Sequence, residues 1–111
     1  MARPPKCRLV GRKPEVTYFK PRGIPLRELE EVTLTVEGLE ALRLSEIEGL
    51  DQDSAAERMG ISRQTFGRIL AEARKTVAKA VVNGLGLRIE GGNYKIVNNT
   101  HFLKNSSNYS D

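Results

Sequence analysis

The sequence predicts a mainly α-helical protein, with a helix-turn-helix in a three-helix core, an extended basic N-terminal arm and a small C-terminal β-hairpin. Three observations lead to this prediction. All five prolines lie within the first 25 of the 111 residues, apolar residues recur at helical spacing between residues 36 and 82, and a Gly-rich turn separates two β-prone runs after residue 84. The length suits one domain with one modest core.

Residues 1–25 are expected to form the arm. Proline fixes φ and has no N–H to donate, so neither a long helix nor a central strand fits this segment. Residues 16–19 within it are β-prone, which favours contact with the body of the protein. Residues 1–27 carry eight Lys or Arg against one Glu, whereas residues 28–48 carry seven Glu against one Arg. The arm is therefore either a DNA-binding segment or a solubilising tail.

Residues 26–84 are expected to form the helical domain. Pro25, followed by Leu26, Leu29 and Val32, predicts a short helix with the proline in its first turn. Thr35 is a good N-cap for the first core helix, which Gly49 ends. Its Glu residues are expected on a solvated face. The apolar positions that recur at helical spacing in this helix are Val36, Leu39, Leu42, Ile47 and Leu50.

The helix-turn-helix is predicted over residues 51–82. Asp51 caps a helix that runs from Gln52 to Met59, and Ser62 caps the third helix. The buried stripe predicted for that helix consists of Phe66, Ile69, Leu70, Ala73, Val77 and Val81. Residues 85–97 are expected to form the hairpin, and residues 98–111, rich in Asn and Ser, a flexible tail.

Five residues of this segment have the types and spacing that a helix-turn-helix requires. The first helix needs a small side chain at the closest approach, the turn needs a residue that tolerates positive φ, and an apolar side chain must anchor the turn. The second helix must direct two apolar residues, one turn apart, into the core. These roles fall in order on Ala56, Gly60, Ile61, Phe66 and Ile69.

The face of the third helix opposite its stripe predicts contact with duplex DNA. Arg can form two hydrogen bonds with guanine and Gln can do so with adenine, both in the major groove. The candidate base-reading residues are Ser62, Arg63, Gln64, Thr65 and Arg68. The candidate phosphate-binding residues are Gln52, Arg74, Lys75 and, in the arm, Arg3, Lys6 and Arg8.

Six segments together resemble an uncharacterised prokaryotic family of small proteins, predicted to bind DNA, that begin Met-Ala-Arg-Pro. The segments lie at residues 1–4, 19–26, 39–44, 55–60, 62–70 and 89–92. The resemblance implies a helical part similar to region four of the primary sigma factors, and a DNA-binding regulator without an agreed target. Some relatives carry a further C-terminal part associated with a metal or cofactor. Residues 93–111 show no such part, so no cofactor is expected.

The leading interpretation is a sequence-specific duplex DNA-binding protein, a transcriptional regulator that inserts the helix beginning at Arg63 into the major groove. A homodimer is expected because paired half-sites increase specificity, with the hairpin as the candidate dimer element. The alternative is a protein-interaction module that docks on RNA polymerase or another regulator through the helix-turn-helix and the acidic helix 36–48.

Other functions are disfavoured by residues that the sequence lacks. One cysteine (Cys7) and one histidine (His101) cannot supply the roughly four ligands of a structural zinc site, and they form no recognisable catalytic group. No apolar run is long enough to span a membrane and no signal peptide is recognisable, so a cytoplasmic location is expected.

Overall fold

A computed structural model describes residues 7–97, which fold into three helices and five short strands. The helices are α1 (Val36–Leu42), which continues as a π-helical turn over Arg43–Ile47, α2 (Gln52–Met59) and α3 (Arg63–Asn83). The strands are β1 (Arg8–Val10), β2 (Tyr18–Phe19), β3 (Glu31–Leu34), β4 (Gly86–Ile89) and β5 (Tyr94–Ile96). The short helix predicted after Pro25 is a single 3-10 turn over Leu26–Glu28. Val32, expected in that helix, lies in β3. The fold is therefore mixed α/β, with the three expected helices and more strand than expected.

The predicted C-terminal hairpin does not form. Strand β4 lies between β2, to which it is antiparallel, and β3, to which it is parallel, while β5 pairs in parallel with β1. The turn between β4 and β5 is bonded to α1 instead, because Val36 N–H donates to the Gly91 carbonyl and Asn93 N–H to the Glu37 carboxylate. The β-prone runs were identified correctly, but their partners are distant in sequence, so a local pattern could not reveal them.

The arm is extended, as predicted, but most of its described part is integrated into the body. Strand β1 is paired, Val10 is buried, and Val97 N–H donates to the Val10 carbonyl. Strand β2 forms where residues 16–19 were expected to contact the body. Of the arm only residues 1–6, with Arg3 and Lys6, lie outside the described residues, as does the predicted flexible tail at 98–111.

Two carboxylates of α1 hold the N-terminal strand and the β4–β5 turn against the helices. Glu40 accepts hydrogen bonds from the backbone N–H of Gly11 at 2.9 Å and from the guanidinium of Arg43 at 2.9 and 3.0 Å. Glu37 accepts from Asn93 N–H at 2.8 Å and lies 3.9 Å from Arg8. Both glutamates are buried, so the predicted solvated acidic face is wrong at these two positions.

The π-helical turn changes which side chains of α1 face inward. Glu48 N–H donates to the Arg43 carbonyl, and the wider turn contains one more residue than an α-helical turn. Side chains beyond it are rotated from the α-helical spacing on which the prediction rested. Leu44, one turn after the buried Ala41, is fully buried, whereas Ile47, predicted to face the core, is 79% exposed.

The core has two clusters joined by α3. The first packs the start of α3 against α1 and α2, with Phe66, Leu44 and Met59 fully buried. The second packs the C-terminal half of α3 against the strands, around Leu34 and Ile89. Because the C-terminal half of α3 packs against the strands and not against α2, Ala80 faces inward. Val81, predicted to be buried, is 76% exposed.

A cross-strand cluster connects the three strands of the larger sheet. Arg88 of β4 donates to Glu31 of β3 at 2.9 and 3.2 Å, and the Tyr18 hydroxyl of β2 donates to the same carboxylate at 2.7 Å. These hydrogen bonds lower the pKa of Glu31, and the bond to Glu31 raises the pKa of Tyr18. Glu31 is therefore part of the sheet and not of an unpaired acidic surface.

Replacing Glu40 tests how far the fold depends on its buried carboxylate. Glu40→Ala leaves the buried Gly11 N–H without its acceptor and removes both bonds from Arg43, so we expect a loss of about 2–4 kcal/mol in the free energy of unfolding. Urea unfolding measures this loss. Glu30→Ala, at an exposed position, is the matched control and should change stability by less than about 0.5 kcal/mol. Equal effects of the two substitutions would contradict the assigned role.

Candidate nucleic-acid interface

Helices α2 and α3 are joined by a turn whose hydrogen bonds are all local. Asp51 caps α2 by accepting from Ser54 N–H at 2.7 Å, and Ser62 caps α3 by accepting from Thr65 N–H at 3.1 Å. Gly60 adopts a left-handed conformation with φ of 67°, and Ile61 N–H donates to the Ala56 carbonyl. Both helices thus begin with a side-chain cap, which orients their first turns.

The five residues assigned to the packing of this pair occupy their predicted positions. Ala56 and Phe66 are buried, and Ile61 and Ile69 are partly buried against the same cluster. The sequence did not reveal that β1 covers the turn, since a Cβ added to Gly60 would lie 3.2 Å from the Leu9 side chain. The turn is therefore supported from the N-terminal side as well as by the helices.

Four of the five candidate base-reading residues are exposed around the start of α3. These are Ser62, Arg63, Gln64 and Arg68. Thr65 is partly buried, and its hydroxyl accepts from the Ser62 hydroxyl at 2.9 Å and from Arg68 at 3.4 Å. Arg63 lies 3.8 Å from the carboxylate of Asp53 in α2, and both side chains are more than half exposed. A pair this exposed contributes little stability, so Arg63 can exchange it for a ligand at small cost.

Gln52 extends this surface onto α2. It is exposed, and a Cβ added to Gly67 would make ordinary contact with the Gln52 side-chain oxygen at 3.4 Å. The first turn of α2 therefore lies beside the second turn of α3. Gln52 is therefore a candidate phosphate contact at the edge of the surface formed by the start of α3.

Two of the predicted phosphate-binding residues are engaged within the protein. Arg74 donates to the Glu46 carboxylate through both Nε, at 2.9 Å, and Nη2. Arg8 is mostly buried and pairs with Glu37. The acids that hold them are more than 25 residues away in sequence, so nothing local indicated the pairing.

Exposed basic residues continue along α3 beyond the candidate base-reading residues. Lys75 is exposed, as a phosphate contact requires, and Lys79 is exposed one turn further along. Lys79 was not singled out from the sequence, although its spacing of four residues from Lys75 places both on one face.

Within residues 7–97 no cluster of three or more His, Cys, Asp or Glu is arranged to hold a metal ion. None of the helices in the same range combines the length and the apolar composition needed to cross a bilayer.

Fold and surface thus define a small mixed α/β protein in which a capped helix pair presents Arg and Gln side chains to solvent. The chain matches over residues 1–97 a family described as a protein of unknown function, DUF134, and it belongs to that family. A UPF0251 protein of Desulforudis audaxviator is 62% identical over 97 residues, which are 87% of this chain and 63% of that relative. One from Caldanaerobacter subterraneus is 59% identical over 96 residues, which are 86% of this chain and 81% of that relative.

A UPF0251 protein of Moorella thermoacetica is 61% identical over 97 residues, which are 87% of this chain and 65% of that relative. The chain therefore spans less than two thirds of the length of some curated relatives that it matches. No solved structure matches the chain significantly.

The cap of α2 predicts a specific pH dependence of stability. The Ser54 backbone N–H and hydroxyl, bonded to Asp51, hold the pKa of that carboxyl below its ordinary value of 3.8. Because the pKa is lower in the folded state, the contribution of the cap is fully present above pH 3.8 and is lost as the pH falls through the lowered pKa.

Asp51→Asn keeps a capping side chain but cannot titrate. We therefore expect the variant to lose less stability than the native protein when the pH is lowered from 5 to about 2, as measured by thermal unfolding. Parallel curves for the two proteins would show that the titration of Asp51 does not matter to the fold.

Proposed function

We propose that this protein binds duplex DNA sequence-specifically and acts as a transcriptional regulator, with α2, the Gly60 turn and α3 serving as a helix-turn-helix. One observation carries the proposal: the exposed start of α3 presents Arg63, Gln64 and Arg68 on a helix whose opposite face is locked into the core by Phe66. A surface that recognises bases needs exposed polar side chains on a helix that is held rigidly by the core.

The proposed mechanism follows from the lengths and positions of the helices. Helix α3 has 21 residues and is about 31 Å long, so its first turns can enter the major groove while its remainder stays in the body. Arg63 and Gln64 would contact base edges, and Gln52 a phosphate beside the start of α2. Lys75 and Lys79 would supply affinity that does not depend on sequence. The proposal includes the likeness to region four of the primary sigma factors that the sequence motifs implied.

The alternative role, docking on RNA polymerase or another regulator through an acidic helix, receives less support. Its contact surface would include the glutamates of the acidic helix 36–48. All four form an ion pair inside the described chain, namely Glu37, Glu40, Glu46 and Glu48. Glu37 and Glu40 are also buried, so only part of this acidic face is open to another protein.

We propose a homodimer on the grounds of specificity alone, because one recognition helix reads few base pairs. The candidate dimer element was the C-terminal hairpin, and β4 and β5 do not form one. The dimer proposal therefore predicts a palindromic site and a dimer in size measurements with that DNA. A protein that remains monomeric with and without a palindromic duplex would contradict it.

Substitutions at the start of α3 test base reading. Arg63→Ala or Gln64→Ala should cost about 1–3 kcal/mol on a duplex selected from a random library, and should relax the preference at one base position. Both side chains are exposed, so the fold should not change. Lys95→Ala, which removes an exposed cation on β5, is the control and should have little effect. An equal loss on a scrambled duplex would contradict base reading.

Removing residues 1–6 tests whether Arg3 and Lys6, at the start of the arm, bind phosphate. The deletion stops short of β1, so it spares the β1–β5 pairing and the Gly11–Glu40 hydrogen bond. If Arg3 and Lys6 each contact a phosphate, the slope of log affinity against log salt should become less steep by about two. An unchanged slope would show that these residues do not contact the DNA.

A further inference from the structure

Two apolar grooves meet at one side chain, Phe19. The first, of about 580 Å³, lies between the segment that follows β1 and helix α1, and the second, of about 530 Å³, lies between β2 and the last turns of α3. Phe19 lines both, so the two grooves adjoin, and together they are called the apolar track. Each volume is within the range typical of sites for small molecules.

The grooves leave large apolar side chains uncovered. Val16 and Ile47 of the first groove are 58% and 79% exposed, Val81 of the second is 76% exposed, and Phe19 between them is 53% exposed. Isolated exposed apolar residues are ordinary, but several around one concave surface indicate a binding site. This surface is not used by the proposed DNA-reading residues.

The charges along the grooves indicate what kind of molecule fits. Arg12 and Lys13 line the first groove and form no side-chain hydrogen bond or ion pair within residues 7–97, while Lys20 in the second contacts only the Pro21 carbonyl there. The first groove also contains three glutamates. Two of them, Glu40 and Glu46, are already paired with arginines, so Glu15 alone is unpaired. Three unpaired cations thus face one unpaired acid, and the track favours an anion.

We propose that the two grooves form one binding site for an aliphatic monocarboxylate of medium or long chain. The hydrocarbon chain would lie along Val16, Ile47, Phe19 and Val81. The carboxylate would be held by Arg12 and Lys13. Burial of the methylene groups supplies most of the affinity, while the cations select the charged end.

A second copy of this chain is a poorer occupant, because its own apolar track carries the same cations and would bring like charges together. An anionic bilayer has the required chemistry, but a concave track suits a single chain better than a flat surface. The site does not depend on the DNA-binding proposal, since none of the residues that define it reads a base, so either proposal can fail without the other.

Titration calorimetry of the unmodified protein with decanoate, below its micelle concentration, tests the proposal. Decan-1-ol serves as the uncharged probe of the same chain length, and acetate as the charged probe without a chain. We expect decanoate to bind saturably at one site, decan-1-ol more weakly and acetate not at all. The double variant Arg12→Gln/Lys13→Gln should weaken decanoate binding by about two- to tenfold and leave decan-1-ol unaffected, as expected for exposed charge pairs.

A matched pair of substitutions tests the apolar part of the track. Ile47→Ser should weaken decanoate binding by about tenfold through lost apolar contact. Val82→Ser is the control, because Val82 is equally exposed at 79% but does not line either groove. Circular dichroism verifies that both variants are folded.

Four results would overturn the proposal. These are no binding of decanoate, equal binding of decan-1-ol and decanoate, equal losses in the Ile47 and Val82 variants, and binding seen only with anionic vesicles. The last of these would identify the track as a membrane-facing surface.

Discussion

The arrangement of the whole chain depends on two buried carboxylates, those of Glu37 and Glu40 in α1. A buried charge is costly unless it is paired and hydrogen-bonded, and here the partners come from the N-terminal strand region and from the β4–β5 turn. The same contacts bring β1 alongside β5 and place Leu9 against the Gly60 turn. Because each carboxylate accepts a hydrogen bond from a distant backbone N–H group, α1 acts as the support on which α2 and α3 are held.

The features that could be predicted from the sequence are those determined by contacts between neighbouring residues. Asp51, Ser62 and Gly60 mark helix ends through contacts within a few residues, and those boundaries agree with the structure. The strand partners could not be predicted, since β4 pairs with residues more than 50 positions away. The acidic stretch of α1 was misinterpreted for the same reason: the partners of Glu37 and Glu40 lie in segments whose proximity only the fold reveals.

The residues of the candidate site likewise include some that could be predicted from the sequence and some that could not. The exposed start of α3 follows from helical periodicity, so its residues were identifiable in advance. Arg8 and Arg74 have the residue type expected of phosphate contacts, yet each is held by a glutamate from α1 or its π-helical turn. The exposure of Ile47, which borders the apolar track, arises from that π-helical turn, and no pattern in the sequence indicated the turn. Residue type suggests a role, but the distant partner decides whether the side chain is available for it.

The most direct test of the central claim is selection of bound sequences from a random duplex library at about 150 mM salt, where nonspecific binding to phosphate is suppressed. If the protein reads bases through the start of α3, the selection yields an enriched motif, and a protein with Ala at positions 63 and 64 fails to enrich it. Recovery of no motif by the folded native protein would contradict sequence-specific DNA binding. It would leave α2 and α3 as a packed helix pair whose exposed Arg and Gln serve another partner.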